Sequence, residues 1–337
     1  MNIYSALQKL CVTPSISGRE DNIRGLLSEM ILPFADEVRV DALGNLIAKK
    51  NGSKGGDSVM LCAHMDEIGF LVNFIEDSGM LRIAPIGGIS FAATAYTELV
   101  SERGVRGVLI PEGNVKPADY KADKFLVDIG AKNKKDAERR VSIGDFFVAE
   151  GGVKRLMGKR IVGRPLDDRI GCAVLIDVAE KLSKEELAGD VYYVFSVQEE
   201  VGCRGSMTAA FGIAPNYSLC FDVTGTGDVE GSGTMACKLG GGAAVKVKDS
   251  SVICSEEVVN TLCDLAKEKK IPYQKEILLY GGTDASSMQL SGAGSLVGAL
   301  SIPTRYIHSG VECCDLGDAE ACASLAAEFV IDLNKNN

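Results

Sequence analysis

What most restricts the fold of this chain is a change of texture in its middle. After residue 165 segments with the periods of strand and helix alternate. A helix follows Asp168, a strand runs through 190–198, a helix starts after Gly205, and strands come near 216–222 and 242–248. A helix at 256–269, strands near 273–279 and 295–300, and a closing helix complete the run; Leu325, Ala326, Phe329, Val330 and Leu333 form one stripe of that last helix. Alternation of this kind predicts an α/β fold, a three-layer α/β/α domain. Ahead of it, Ser17-Gly18-Arg19-Glu20 reads as a capping box opening a helix with Ile23, Leu26, Leu27, Met30 and Ile31 on one face. Residues 36–50 read as a hairpin turning at Leu43-Gly44-Asn45, and 58–64 as a short buried strand. From about 70 to 163, short apolar runs are instead separated by glycine pairs and clusters, and only 132–140 looks helical. That stretch predicts a small all-β unit.

Composition narrows the partners. The 337 residues are about twice the usual length of one domain. Net charge is −10, with Lys and Arg scattered rather than clustered, which argues against nucleic acid or an anionic membrane surface as partner. No apolar stretch approaches the ~20 residues needed to span a bilayer. Eleven cysteines are dispersed without a disulfide framework or a CxxC pair with downstream ligands, and most have apolar neighbours. The first residues, MNIYSALQKLC, lack the pattern of a secretion signal. A reducing, cytoplasmic location is the expectation.

Only two histidines occur, so their surroundings carry information. His64 ends an apolar strand in AHMDEIG, and His308 follows a strand-like run in PTRYIHSGVE. A lone histidine is more often a satisfied core or surface residue than a ligand, but both of these stand where α/β sheets place ligands. Asp66, two residues past His64, is on the same side if the strand continues, positioned to orient the imidazole. Asp167-Asp168 opens a helix, where acidic residues serve as caps without any chemistry. Glu199-Glu200 closes an apolar strand; successive strand side chains point to opposite sides, which predicts different roles, one on metal and one facing the water to be activated. Asp222 follows a buried strand, where a carboxylate also begins ordinary turns. Three carboxylates converging without a counter-ion would repel and shift upward in pKa. Two divalent cations supply that counter-charge, and a set of two His, two Asp and one Glu suits paired zinc ions, or cobalt or manganese in their place.

Taken in order, AHMDEIG, LDDR, EEVGCRGS, FDVT, GGTDAS and PTRYIHSGVE resemble the glutamyl and deblocking aminopeptidases, co-catalytic metallo-aminopeptidases that assemble as tetrahedral dodecamers. The PSISGRE opening and SIGDFF are also similar, and the match is collinear over nearly the whole chain. The resemblance implies one metal on His64 and Asp222, the other on Glu200 and His308, with Asp167 bridging. It implies Glu199 as general base, Asp66 as orienter of His64, and Asp168 as a helix-start residue paired with Arg169. Two departures stand out: Gly310 where the family commonly has proline, and Cys313-Cys314 in place of aliphatic residues. They put loop rigidity and resistance to oxidation in question.

If residues 64 and 167 share a metal, the chain between them must leave the main domain and return. The expected division is a discontinuous catalytic domain, 1–69 and 164–337, with 70–163 an inserted β-barrel-like domain used for subunit contacts in a homo-oligomer, a dodecamer or smaller. The implied function is removal of N-terminal residues from peptides by a two-metal-activated water. A glycoside hydrolase using a carboxylate pair such as Glu199 with Asp222, and a non-catalytic metal-binding scaffold, are the rival readings. GGTDAS (281–286) and GAGSLVGALS (292–301) are expected near the substrate.

Overall fold

The computed structural model describes residues 2–335. Its main body is an 11-stranded mixed sheet with helices on both faces. The strand Gly56–His64 lies near the centre, parallel to Gly189–Ser196 on one side and to Tyr217–Thr224 on the other. Leu296–Arg305 pairs parallel with the latter. Residues 59–63 of the central strand are buried throughout, which is why this segment reads as an unbroken apolar run rather than an alternating one. Helices Arg169–Leu182 and Leu316–Lys335 pack on each other across one face, while Arg204–Ile213 and Ala285–Leu290 pack together on the other.

The expected hairpin at 36–50 is present as Glu37–Val40 paired antiparallel with Leu46–Lys50. The capping box is not. Glu20 itself is the residue preceding the helix Asp21–Ile31, and it makes no side-chain cap bond. Its carboxylate instead accepts the amides of Gly18 (2.7 Å) and Gln198 (3.1 Å), and the Ser17 hydroxyl donates to Asp66 at 2.6 Å. Asp66 and Gln198, both distant in sequence, draw on the two side chains that the local motif would use.

Six strands, Gly69–Ile75, Leu81–Ile86, Glu98–Ser101, Arg106–Pro111, Phe125–Asp128 and Phe146–Ala149, close an antiparallel barrel. Phe70, Leu81, Leu99, Leu109, Phe125 and Phe147 fill its own core. Helix is sparse here: Lys134–Ala137 is a single turn, and Phe91–Thr94 adds one the sequence did not announce. The barrel ends at Ala149. The following hairpin, Gly152–Arg155 with Arg160–Arg164, belongs to the large sheet, joined to it through the strand Glu312–Asp315.

That joining strand fixes a direction. Glu312–Asp315 is antiparallel both to Arg160–Arg164 and to Leu296–Arg305, so the latter two run the same way. The strands ending at His64, Ser196, Thr224, Arg305 and Arg164 therefore all point their carboxyl ends toward one edge of the sheet, where open α/β sheets place their ligands. By the same geometry the 292–295 segment, which precedes Leu296, lies at the opposite end. Residues 292–296 of GAGSLVGALS therefore border a separate surface groove, while the strand runs on to set the motif's last residue, Ser301, beside Asp222.

Candidate metal centre

His64, Asp167, Glu199, Glu200, Asp222 and His308 line one cavity of about 550 Å³ at that edge. His64 Nε2 is 3.1 Å from Asp167 Oδ1, 3.9 Å from Asp222 Oδ1 and 4.0 Å from Glu199 Oε2. His308 Nε2 is 3.2 Å from Asp167 Oδ2 and 3.3 Å from Glu200 Oε2. The two oxygens of Asp167 thus face two different histidines. Two ligand triads result, His64–Asp167–Asp222 and Asp167–Glu200–His308, each with its donor atoms within 4.8 Å of one another.

Local structure sets each donor. His64 is the last residue of its strand, and its Nδ1 lies 3.2 Å from the Asp66 carbonyl and 3.4 Å from the Asp66 carboxylate. A proton on Nδ1 bonded there leaves the Nε2 lone pair facing Asp167 and Asp222. Asp66 does more than hold the ring. Its carboxylate also accepts the amides of Glu199 (3.0 Å) and Glu200 (3.3 Å) and the Ser17 hydroxyl, so one side chain positions three members of the cavity wall.

Glu199 and Glu200 do not close the strand. Gly189–Ser196 has already ended, and the pair sits in a turn entered through Gln198 at φ +56°. Both carboxylates face the cavity, so strand alternation is not what separates them; their neighbours are. Glu200 reaches His308, whereas Glu199 Oε2 is directed at His64 and its Oε1 accepts from Cys203 Sγ at 3.2 Å. Burial pushes the Cys203 thiol far up, which keeps it a donor.

Asp168 caps the helix Arg169–Leu182, accepting the Gly171 amide at 3.0 Å and the His64 amide at 3.3 Å. It does not pair with Arg169. That buried guanidinium bonds Glu67 (3.2 Å), the Ser15 hydroxyl (2.9 Å) and the Thr13 carbonyl (3.2 Å) instead. Capping takes one Asp168 oxygen and the His64 amide the other.

Two further carboxylates matter. Glu312, present in the sequence reading only as part of a motif, accepts the amides of Leu166 (2.6 Å) and Asp167 (3.1 Å) and lies 3.4 Å from Arg164 Nη1. Arg164 in turn donates to the Ser309 carbonyl at 2.6 Å, tying the Asp167 segment to the His308 loop. Asp284 of GGTDAS is buried behind Cys203, accepting from the hydroxyls of Ser196 and Ser206 at 2.5 Å each. The advance signal for each was its place in a motif, GGTDAS for Asp284 and PTRYIHSGVE for Glu312, with nothing to give its role.

The loop after His308 is firm without a proline. The Gly310 amide donates to the Ala93 carbonyl at 3.3 Å, a bond that proline lacks the N–H to make, and a Cβ there would stand 2.5 Å from Thr97 Oγ1. Cys313 and Cys314 are buried in the strand Glu312–Asp315, shielded from oxidants by the sheet.

The charge balance bears on what fits between these residues. Burial and the neighbouring carboxylates Asp167 and Glu199 push Asp222 well above the carboxylate range, and burial with Asp284 and Glu200 does the same to Glu199. Burial disfavours a charge on His308, yet hydrogen bonds with Asp167 and Glu200 outweigh it and raise the imidazole to about 11. Burial likewise opposes ionisation of Asp167, but the two histidines hold it below its usual range. Protein cations alone leave the cluster short of positive charge. The buried Glu200 Oε1 has no hydrogen-bond partner. An acceptor-rich cluster with an orphaned oxygen and neutral-capable imidazoles is the environment divalent ions require.

The family profile described as M42 glutamyl aminopeptidase matches residues 44–325. A putative aminopeptidase of Acetivibrio thermocellus is 41% identical over 330 residues, covering 98% of each chain. The structure of an aminopeptidase from the archaeon Desulfurococcus kamchatkensis superposes with a TM-score of 0.93 at 36% identity, over 98% of this chain and 94% of that one. A Pyrococcus horikoshii peptidase described as able to assemble into a tetrahedron or a large octahedral shell gives 0.86 at 34% identity, over 97% and 98%.

Proposed function

The chain belongs to the M42 glutamyl aminopeptidase family and is a metal-dependent aminopeptidase, and from that premise we propose how its residues divide the work. His64 and Asp222 would hold one divalent ion and Glu200 and His308 a second, with Asp167 a ligand available to both. The observation that carries this assignment is the split of Asp167, one oxygen to each histidine. Zinc suits the nitrogen–oxygen donor set, with cobalt or manganese able to take its place. Bound there, the ions would lower the pKa of water and polarise the scissile carbonyl. Glu199 accepts the proton of the attacking water and passes it to the leaving amine, and its place in a buried wall that raises its pKa suits that duty. Asp66 is a positioning residue for His64, Glu199 and Glu200. A carboxylate-pair glycosidase would leave both histidines and Glu200 without a task.

The barrel, 69–149, serves in this reading as the unit for subunit contacts, in a homo-oligomer that extends to a dodecamer. Similarity to a peptidase that forms a tetrahedron supports it. Cysteines unpaired among the described residues support a reducing, cytoplasmic location, and among those residues no helix is long and apolar enough to cross a membrane.

The test is metal content with turnover. Protein reconstituted with zinc, cobalt or manganese should hold close to two ions per chain and cleave aminoacyl amides but not their N-acetylated forms. His64→Ala and His308→Ala should each lower occupancy and abolish cleavage. Full activity in a preparation shown metal-free by elemental analysis overturns the assignment.

A further inference from the structure

The cavity that holds the metal ligands also shows what the first residue of the substrate meets. Among its described lining residues, the only charged or readily protonated side chains other than cysteine and tyrosine are Asp167, Glu199, Glu200, Asp222, His64 and His308. In the reading above all six are committed to the ions or to the attacking water. The remaining walls are uncharged: Val223, Leu278 and Ile307 are the aliphatic members, Tyr280, 84% exposed, stands at the mouth, and the hydroxyls of Thr224, Ser251 and Ser286 donate to Glu276, Asp249 and the Thr283 carbonyl.

Two carboxylates one layer further back, Asp249 and Asp284, are already engaged. Asp249, behind Ser251, accepts that residue's amide (2.7 Å) and hydroxyl (2.8 Å) and the Val252 amide (2.9 Å), and lies 3.7 Å from the buried Lys246. Asp284, behind Cys203, is taken up by its two serine hydroxyls. Even the Ser286 hydroxyl is turned away, donating to the Thr283 carbonyl at 3.0 Å. With two divalent ions against Asp167, Glu199, Glu200 and Asp222, the site itself carries no net charge to attract either sign.

We infer that this enzyme removes neutral, chiefly apolar N-terminal residues and discriminates against lysyl, arginyl, glutamyl and aspartyl ones; the inference rests on the aminopeptidase reading above. An ammonium or guanidinium entering these walls finds no free carboxylate, and a carboxylate finds no cation except the ions the reaction needs. Either charge is stripped of water without a partner, whereas aliphatic side chains gain contact with Val223, Leu278 and Ile307.

The experiment is a panel of Leu, Met, Ala, Lys, Arg, Glu and Asp p-nitroanilides, assayed with protein carrying two ions per chain. kcat/KM for Leu and Met should exceed that for Lys and Glu on the order of 10²-fold. Leu278→Asp, which supplies the missing carboxylate, should improve Lys relative to Leu by about tenfold. Binding gives a readout without turnover. By calorimetry, leucinamide should bind the Glu199→Gln protein more tightly than lysinamide or glutamic acid amide. A preference for Lys or Glu in the panel overturns this inference and leaves the peptidase reading standing. No cleavage of any member by fully loaded protein overturns both.

Discussion

Glu199 and Glu200 are neighbours in one turn, and replacing each by Gln should fail in different ways. Glu200 Oε2 lies 3.3 Å from His308 Nε2, and its second oxygen is buried without a partner. Gln at 200 puts an amide NH₂ or a neutral oxygen where an ionised ligand belongs, so the second ion should be lost or bound much more weakly. Glu199 bonds Cys203 with one oxygen and turns the other toward His64 at 4.0 Å. Gln at 199 preserves volume and the thiol contact but cannot take a proton. Both ions should remain while kcat falls. General acid–base catalysis contributes ~10²–10⁴-fold, a barrier rise of about 3–5.5 kcal/mol. Elemental analysis beside steady-state kinetics on the two variants is the assay. If Glu199→Gln sheds metal while Glu200→Gln keeps two ions and loses only rate, the roles are reversed. If both keep two ions and full rate, neither glutamate belongs to the machinery.

Gly87→Ala should weaken metal occupancy and stability together: at φ +76° an added Cβ meets Ile68 Cγ2 at 2.5 Å and Glu200 Oε2 at 3.0 Å. Left-handed strain and overpacking together cost roughly 2–5 kcal/mol; unchanged urea unfolding and two retained ions would contradict this. Glu312→Ala strands the buried Arg164 and two backbone amides, a loss of about 3–5 kcal/mol that denaturation should register, with a shift below 1 kcal/mol against it. Metal uptake should release protons, because the His308 imidazole, raised to about 11, is protonated in metal-free protein at neutral pH and must deprotonate to bind. Affinity should therefore rise from about pH 6 to about pH 8, and a weakly buffered indicator assay that shows no release, or tighter binding at the lower pH, would refute it.

Local codes were legible and partner choice was not. The strand at 56–64 announces itself as an unbroken apolar run and the closing helix by its period, because burial on both faces or on one is written into consecutive residues. The histidines stood out because there are two. Asp167 and Asp168 were inseparable by spacing: both precede the same helix, and only the folded chain shows one accepting its amides and the other facing both imidazoles. The hairpin at 152–164 was assigned to the β-rich insert because short glycine-flanked strands encode strand but not which sheet they join. Ser17 and Glu20 satisfied a local capping pattern and were drawn instead to Asp66 and Gln198, a tertiary demand no local rule anticipates.

The barrel also bears on the site from its own side. Gly87 and Gly88, which follow the barrel strand Leu81–Ile86, lie so close to Glu200 and His308 that a Cβ at 88 would come within 3.3 Å of the imidazole. Gly310, two residues past His308, is held by the Ala93 carbonyl and has Thr97 against its face, both between barrel strands. Arg164 reaches from the sheet to Ser309, with Glu312 behind it. Glu200 and His308 are therefore gripped between the two units, whereas His64 and Asp222 sit on central sheet strands alone. Of the two ions, the one on Glu200 and His308 depends on barrel and sheet staying in register, so it should be the first lost when that contact is loosened. A substitution at Gly87 that empties the His64–Asp222 site first would contradict this order.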